Sequence, residues 1–273
     1  MKWGMETSPD KASKPPTSDR KEVDQALTTV RKKCVKALND FGMIQDGDRI
    51  MVAVSGGKDS SVLLYTLLQI QKKSKFNFSL YPVILDQKQP GFYVDAFKKW
   101  VDSLGLELKV LQQDTYSIVK EKVPEGKTFC SLCSRLRRGI LYNHAHEMGF
   151  NKIALGHHAD DAIETLFLNQ FYSGKISSMP PVLRSDDGRN LLLRPFCYVY
   201  ENEIIDGQRI LSPPVIPCNL CGSQDNLKRK KIKQLIAQLE SESPQLKASL
   251  LNSLGNVRAS QLFDQTLFSF KNL

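Results

Sequence analysis

The chain has 273 residues, of which 41% are hydrophobic and 25% charged, and its formal net charge is +9. This composition is typical of a soluble globular protein, and no apolar stretch is long enough to span a bilayer. The first residues lack the apolar centre of a secretion signal, so we expect a cytoplasmic protein. The excess of Lys and Arg favours a polyanionic partner such as nucleic acid, although a soluble protein can be basic without one.

Strands and helices are predicted to alternate along most of the chain. Residues 1–22, rich in Lys, Ser, Pro and Asp, are predicted to be a disordered lead-in. Apolar residues then recur at helix spacing from about Val23 to Phe41. Short apolar runs predict strands at about 49–54, 80–85, 107–111 and 152–155, with helices at about 60–70, 94–104, 134–148 and 160–171. The chain is predicted to be looser over 173–217, and helical and basic from 224 onward.

This alternation predicts an α/β fold with one doubly wound parallel sheet, a cysteine-bearing excursion and a basic helical tail. The predicted boundaries are 23–227 for the main domain and 228–273 for the tail. Because parallel strands end at a common edge, the turns after the first, second and fourth strands should converge there.

The segment Ser55-Gly56-Gly57-Lys58-Asp59-Ser60-Ser61 lies between a predicted strand and a predicted helix. Glycines let the backbone approach an anion closely, and the helix start offers unpaired N–H groups and a favourable dipole. An ordinary tight turn is the alternative, but the position after a strand is the one that a phosphate site requires. The segment does not match the P-loop pattern of Walker-type nucleotidases.

Four of the six cysteines form two C-x-x-C pairs, Cys130 with Cys133 and Cys218 with Cys221. Each spacing allows both sulfurs to face one metal ion or cluster. From spacing alone, a structural zinc and an iron–sulfur cluster are equally good interpretations, and a redox dithiol is a third. Cys34 and Cys197 lie outside the pairs and are predicted to be packing residues.

The segment from Ser55 to Ser60 resembles the signature of the PP-loop ATP-pyrophosphatases, which cleave ATP between its α- and β-phosphates. Residues 129–139, 156–161 and 216–224 resemble motifs of the tRNA 2-thiocytidine synthetases within that superfamily. The resemblance is collinear from about Ile50 to Arg229. It implies that ATP is bound by Ser55, Gly56, Gly57, Lys58, Asp59, Ser60, Asp86 and Gly156, with Lys58, Asp59 and Asp161 acting in catalysis.

The same resemblance implies a four-iron four-sulfur cluster held by three cysteines, and so resolves the choice between zinc and iron. Cys130 and Cys133 would supply two ligands, and Cys221 the third, with Cys218 as the alternative. Three ligands leave one iron open for a hydrosulfide. The implied reaction adenylates the 2-oxygen of cytidine 32 in the tRNA anticodon loop and then replaces it with sulfur. ATP, tRNA and a sulfur donor such as a cysteine desulfurase are the implied partners, and a homodimer is compatible with this interpretation.

Two further groups of residues keep alternative interpretations. Asp161 is a candidate Mg²⁺ ligand, since hard cations prefer carboxylates, whereas Asp160 could simply cap the following helix. Arg135, Arg137, Arg138, Lys228 and Arg229 are candidate tRNA contacts, although such a basic run is more often a solvated helix face. A PP-loop thiolase of tRNA uridine and a non-catalytic RNA-binding or sulfur-carrying protein are the rival functions.

Overall fold

A computed structural model of the chain describes residues 23, 27–123, 130–216 and 225–272. The predicted lead-in and both cysteines of the second pair, Cys218 and Cys221, lie outside these residues. The helices are α1 (Thr28–Asp40), α2 (Lys58–Gln71), α3 (Asp95–Ser103), α4 (Thr115–Lys122), α5 (Cys130–Glu147), α6 (Ala159–Ser173), α7 (Glu201–Leu211), α8 (Asp225–Glu242) and α9 (Leu246–Ser253). Among these described helices, none is long and apolar enough to cross a membrane.

The strands form one six-stranded sheet in the order β3-β2-β1-β4-β6-β5. They are β1 (Arg49–Val54), β2 (Ser79–Asp86), β3 (Lys109–Gln112), β4 (Lys152–Ala154), β5 (Val182–Arg184) and β6 (Leu191–Leu193). All neighbouring pairs are parallel except β5 with β6. The winding reverses between β1 and β4, and ligands in open α/β sheets bind beyond the carboxyl ends of strands at such a switch point. The predicted doubly wound α/β sheet is therefore confirmed, with one antiparallel edge strand added.

Both faces of the central strand β1 are covered, as its continuous apolar sequence predicts. Ile50 and alternate residues of β1 join a core cluster with the helices α1, α2 and α7. Met51 joins a second cluster on the opposite face, where Leu141 of α5 packs. Cys34 and Cys197 are buried, and burial raises the pKa of both thiols, that of Cys197 to about 12. Both are thus inert packing residues, as predicted.

The described part of the segment that was predicted to be looser, residues 173–216, is more ordered than predicted. It contains the antiparallel pair β5 and β6 and the eleven-residue helix α7. The two strands are only three residues long, and Gly207 interrupts the apolar pattern of α7. A β-carbon at Gly207 would lie 2.4 Å from Leu27 Cδ2, so the glycine permits close packing of α7 against the residue that precedes α1.

The first cysteine pair also differs from the prediction. The helix was expected to begin near Ser134, but α5 begins at Cys130, so the backbone of both Cys130 and Cys133 lies in its first turn. The basic tail is helical as expected over α8 and α9, and only short 3-10 turns follow up to residue 272. Ile232 and Ile236 of α8 pack against Ile163 of α6.

Candidate active site at the switch point

The segment from Ser55 to Ser60 forms a closed turn between β1 and α2. The Ser60 hydroxyl donates to the Gly57 carbonyl at 3.2 Å and accepts the Ser55 N–H at 3.0 Å. Gly56 has a φ of +75°, which side chains other than glycine rarely adopt. Helix α2 therefore starts directly at this turn. The unpaired N–H groups at the start of the helix lie at the turn, as an anion site requires.

Gly156 lies against this turn. A β-carbon at Gly156 would sit 3.0 Å from the Ser60 nitrogen and 3.2 Å from the Asp59 carbonyl carbon, so the two backbones approach each other closely. The contact joins the carboxyl end of β4 to the start of α2 at the switch point. The structure thus brings the predicted second nucleotide segment onto the predicted phosphate loop.

The ammonium group of Lys58 is paired with two carboxylates. Its ammonium lies 2.9 Å from Asp59 Oδ1 and 3.1 Å from Oε1 of Glu201, the first residue of α7. Burial lowers the pKa of Lys58, but hydrogen bonds from its ammonium to Asp59 and Glu201 outweigh that effect and raise the pKa overall. Lys58 is therefore a fixed cation at the mouth of the loop.

Asp59 and Asp161 approach the same ring nitrogen. His158 Nε2 lies 3.9 Å from Asp59 Oδ1 and 3.5 Å from Asp161 Oδ2. Asp161 Oδ2 also accepts the backbone N–H of His158 at 3.1 Å, as a residue in the third position of a helix does when it caps the helix start. Asp161 is thus a capping residue and is also placed next to the loop.

Asp160 caps a different helix from the one predicted. Its Oδ2 accepts the backbone N–H of Glu201 at 2.7 Å, at the start of α7, and its Oδ1 lies 3.1 Å from the ammonium of Lys247. His157 is neutral at pH 7, because burial is the main influence on its pKa and lowers it to about 4. Among the described residues, no group of three or more His, Cys, Asp or Glu side chains is placed to hold a metal ion.

Asp86 and Cys133 flank the end of β2. Asp86 lies 3.4 Å from the ammonium of Lys88 and also accepts the Lys88 N–H. The Cys133 thiol lies 3.2 Å from Oε1 of Gln87, a buried residue that Thr115 also contacts. The first turn of α5 is thereby held at the carboxyl edge of the sheet.

One backbone hydrogen bond connects the phosphate loop to the segment that enters the second cysteine pair. The Ile216 N–H donates to the Gly56 carbonyl at 3.0 Å. A β-carbon on Gly56 would lie 2.7 Å from the Ile216 side chain, so only glycine fits at this contact.

Comparison with known proteins agrees with this geometry. A family model described as a PP-loop domain matches residues 26–210. A tRNA-cytidine(32) 2-sulfurtransferase of Bdellovibrio bacteriovorus is 59% identical over 244 residues, which are 89% of this chain and 94% of that protein. The chain belongs to the tRNA-cytidine(32) 2-sulfurtransferase family. Another relative with that name, from Coxiella burnetii, is 50% identical over 89% of this chain and 97% of its own length.

The fold of this 2-sulfurtransferase family member also matches a solved structure. A U34-tRNA thiolase from Methanococcus maripaludis, solved with its four-iron four-sulfur cluster, superposes with a TM-score of 0.68 and 21% identity. The match covers 86% of this chain and 79% of the thiolase. At that identity the likeness establishes the shared PP-loop fold.

The candidate tRNA-binding residues of this family member differ in exposure and in their contacts. Arg135 and Arg138 are exposed on the first turns of α5, and Arg137 is half-buried there. The ammonium of Lys228 lies 4.7 Å from the centre of the Tyr172 ring. Arg229, in contrast, contacts carboxylates of α6, with its Nε 3.1 Å from Glu164 and its Nη1 4.0 Å from Asp161.

Sequence reasoning missed three residues that complete the site, namely Gln87, Glu201 and Ile216. Gln87 had one available signal, since it directly follows Asp86 at the end of a predicted strand. Ile216 opens the motif 216–224, but nothing in the sequence connected it with the phosphate loop, and Glu201 had no signal at all. They lie in the segment that was predicted to be looser, and they reach the phosphate loop across more than 140 positions of the chain.

Proposed function

We propose that this protein uses ATP and Mg²⁺ to replace the 2-oxygen of cytidine 32 in tRNA with sulfur, with the help of an iron–sulfur cluster. One contact carries the proposal, the hydrogen bond from Ile216 to Gly56. It ties the segment that enters the second cysteine pair to the loop that is suited to ATP phosphates. Activation and sulfur delivery therefore belong to one site.

The phosphate loop performs the first half of the reaction. Backbone N–H groups at the start of α2 and the cationic Lys58 would orient and neutralise the polyphosphate of ATP. Attack of the 2-oxygen on the α-phosphorus then forms a bond to AMP and expels pyrophosphate. AMP leaves readily where oxide does not, so the adenylated carbon becomes open to a sulfur nucleophile.

Magnesium fits two of the described carboxylates. Mg²⁺ commonly uses one or two carboxylates together with substrate phosphates and water, so a preformed cage of three or more side chains is unnecessary. Asp59 and Asp161 converge on His158 beside the loop, which makes them the candidate ligands. Asp86, at the end of the neighbouring strand, is the candidate contact to the adenosine.

The cysteines fit an iron–sulfur cluster. Cys130 and Cys133 occupy positions i and i+3 of one helix turn, and a helix start favours thiolates. Cys221, with Cys218 as the alternative, follows Ile216 by few residues and would supply the third thiolate. With three protein ligands one iron keeps no protein ligand, and the chemistry that the cluster would supply is the delivery of sulfur.

The tRNA substrate would lie along the basic residues near the site. Arg135 and Arg138 are exposed at the end of α5 that carries the first cysteine pair, and Lys228 is exposed on α8. Together with Arg137 and Arg229, they are the proposed contacts to tRNA phosphates. The target base must leave the anticodon-loop stack to reach the loop.

Nucleoside mass spectrometry of tRNA tests the function. Cells that lack this protein should lose 2-thiocytidine, and the wild-type chain should restore it. Lys58→Ala should fail to restore it. Lys33→Ala should succeed, because Lys33 pairs with Glu203 and not with a residue of the loop, at a nearly equal exposure of 30% against 29%. Restored 2-thiouridine in place of 2-thiocytidine would identify a uridine thiolase instead.

Iron content tests the cofactor separately. Anaerobically purified protein should contain about four irons per chain. Cys133→Ala should lose them, whereas Cys197→Ala, a change in the core, should keep them. Stoichiometric zinc without iron in an active preparation would overturn the cluster proposal.

The second cysteine pair has its own test. Cys221→Ala should lose iron and Cys218→Ala should retain it, since three thiolates are proposed. Iron loss by Cys218→Ala alone would identify Cys218 as the third ligand. Loss in both variants would mean four protein ligands and would exclude an open iron.

A further inference from the structure

The carboxylate of Glu201 lies between two ammonium groups that belong to different parts of the fold. Its Oε1 is 3.1 Å from Lys58 of the phosphate loop, and its Oε2 accepts a short hydrogen bond from Lys233 of α8. Glu201 is 21% exposed, so water screens these contacts only in part. One carboxylate therefore links the loop to the helix that follows the second cysteine pair.

The main chain of Glu201 is anchored. Its N–H donates to Asp160 Oδ2 at 2.7 Å, and Asp160 in turn lies 3.1 Å from Lys247 of α9. A carboxylate at an anchored helix start keeps a defined position and so can fix the position of a cation. Burial raises the pKa of Glu201, but hydrogen bonds from Lys233 and Lys58 outweigh it and lower the pKa to about 2. The side chain is therefore ionised at neutral pH.

We propose that Glu201 is a positioning residue for Lys58, and that its carboxylate is shared between Lys58 and Lys233 in competition with the phosphates of ATP. The inference rests on the proposed ATP-binding role of the loop. Without ATP, Glu201 holds the Lys58 ammonium. When ATP binds, its phosphates pair with the same ammonium. The carboxylate of Glu201 then pairs mainly with Lys233.

This competition fixes the signs of two substitutions. Glu201→Gln removes the charge that competes with phosphate, so ATP should bind more tightly. It also leaves Lys58 less well placed for the transition state, so turnover should fall even as binding improves. Lys233→Gln gives Glu201 wholly to Lys58, so ATP should bind more weakly. A general loss of folding cannot produce opposite shifts in affinity.

The test is the Kd of ATP for the full-length protein without tRNA, measured by titration calorimetry. We expect Glu201→Gln to lower the Kd about threefold and Lys233→Gln to raise it by a similar factor, as partly exposed ion pairs allow. Glu203→Gln is the matched control, because Glu203 stands two residues along α7, is 19% exposed and pairs with Lys33. Lys230→Gln, at an exposed position of α8, is the control for Lys233.

The double variant decides whether Lys233 acts through Glu201. If it does, Lys233→Gln should have no effect on the Kd in the Glu201→Gln background. Equal shifts in the control variants, or an additive effect in the double variant, would overturn the inference. Absence of ATP binding in the wild-type protein would instead contradict the proposed function, so the two failures are distinguishable. A further outcome would contradict the competition, provided that the wild-type protein thiolates tRNA. It is a Glu201→Gln variant with a lowered kcat and an unchanged Kd for ATP.

Discussion

Gly156 shows how a single residue controls the geometry of the site. The atoms that face its missing β-carbon belong to the backbone of Asp59 and Ser60, which cannot rotate away as a flexible side chain can. The glycine is therefore required by close approach, since its own φ lies outside the left-handed region.

Gly156→Ala should accordingly weaken ATP binding by at least about tenfold, because the start of α2 must shift by several tenths of an ångström. Gly139→Ala provides the control. Nothing lies within 4 Å of a β-carbon at Gly139, which is inside α5, so that change should raise stability by up to about 1 kcal/mol and leave ATP binding unchanged. ATP titration and thermal unfolding measure both effects. Normal ATP binding by Gly156→Ala would contradict the close approach.

His157 gives a pH dependence at the same scale. Its pKa of about 4 in the folded protein lies below the value of about 6.5 expected in the unfolded chain. Between these values the unfolded state binds the additional proton, so stability is present above pH 6.5 and is lost as the pH falls toward 4.

For the wild-type protein, this histidine should remove about 2 kcal/mol of the free energy of unfolding between pH 7 and pH 5. His157→Gln cannot take up that proton, so its stability should fall less over the same interval. Denaturant unfolding at a series of pH values measures the difference. Identical slopes for wild-type protein and variant would show that His157 does not carry this effect.

At the scale of single residues, the sequence predicts best those that are close together in the chain. The segment Ser55–Ser60 forms the expected turn because strand, glycines and helix start are consecutive. Glu201 could not be found in this way. Its contact with Lys58 depends on the folded positions of α2 and α7, and an acidic residue at a helix start is common for reasons of capping alone.

Among the elements, α8 is held next to the site by two kinds of contact. Ile232 and Ile236 bury its apolar side against Ile163, while Arg229 and Lys233 pair with carboxylates of α6 and α7. Apolar packing and ion pairs together therefore fix this helix beside the phosphate loop.

Ile232→Ala should cost about 2–4 kcal/mol of stability, because Ile232 is 2% exposed and its side chain would leave a cavity. Ile176→Ala is the matched control, since Ile176 is 68% exposed and should change stability by less than about 0.5 kcal/mol. Denaturant unfolding compares the two. A small effect of Ile232→Ala would mean that α8 is held mainly by its ion pairs.

Elements were predictable where periodic runs are long. The strand at 49–54 and the helices flanking it follow the expected pattern, and the order of alternation gives the doubly wound sheet. β5 and β6 were missed because three residues are too few to show a period of two. Helix α7 was missed because Gly207 lowers the helix propensity of its sequence. The glycine permits close contact with Leu27, which the sequence does not reveal.

For the whole molecule, the net charge of +9 predicts salt-dependent binding of tRNA. The basic residues should not contribute equally. Lys228 is exposed above Tyr172, whereas the charge of Arg229 is largely balanced by Glu164 and Asp161.

Lys228→Gln should therefore lower the slope of log affinity against log salt by about one, and Arg229→Gln should lower it by less. Lys75→Gln is the control, because Lys75 is exposed after the end of α2, at the opposite edge of the sheet, and should leave the slope unchanged. Filter binding of tRNA at several salt concentrations gives the slopes. An equal reduction by Arg229→Gln would mean that tRNA displaces its carboxylate partners.

The hydrogen bond from Ile216 to Gly56 has a consequence for the proposed third cysteine ligand. Residues 217–224, which contain Cys218 and Cys221, join Ile216 on the phosphate loop to α8, whose side chains are docked on α6 and α7. The entropy of closing this short span is therefore already lost when the domain folds. A ligand on so short a tether is present at a millimolar or higher effective concentration. If one of these cysteines is the proposed third ligand, an oxidised or stripped cluster would keep that thiolate within reach and would be rebuilt without refolding the domain.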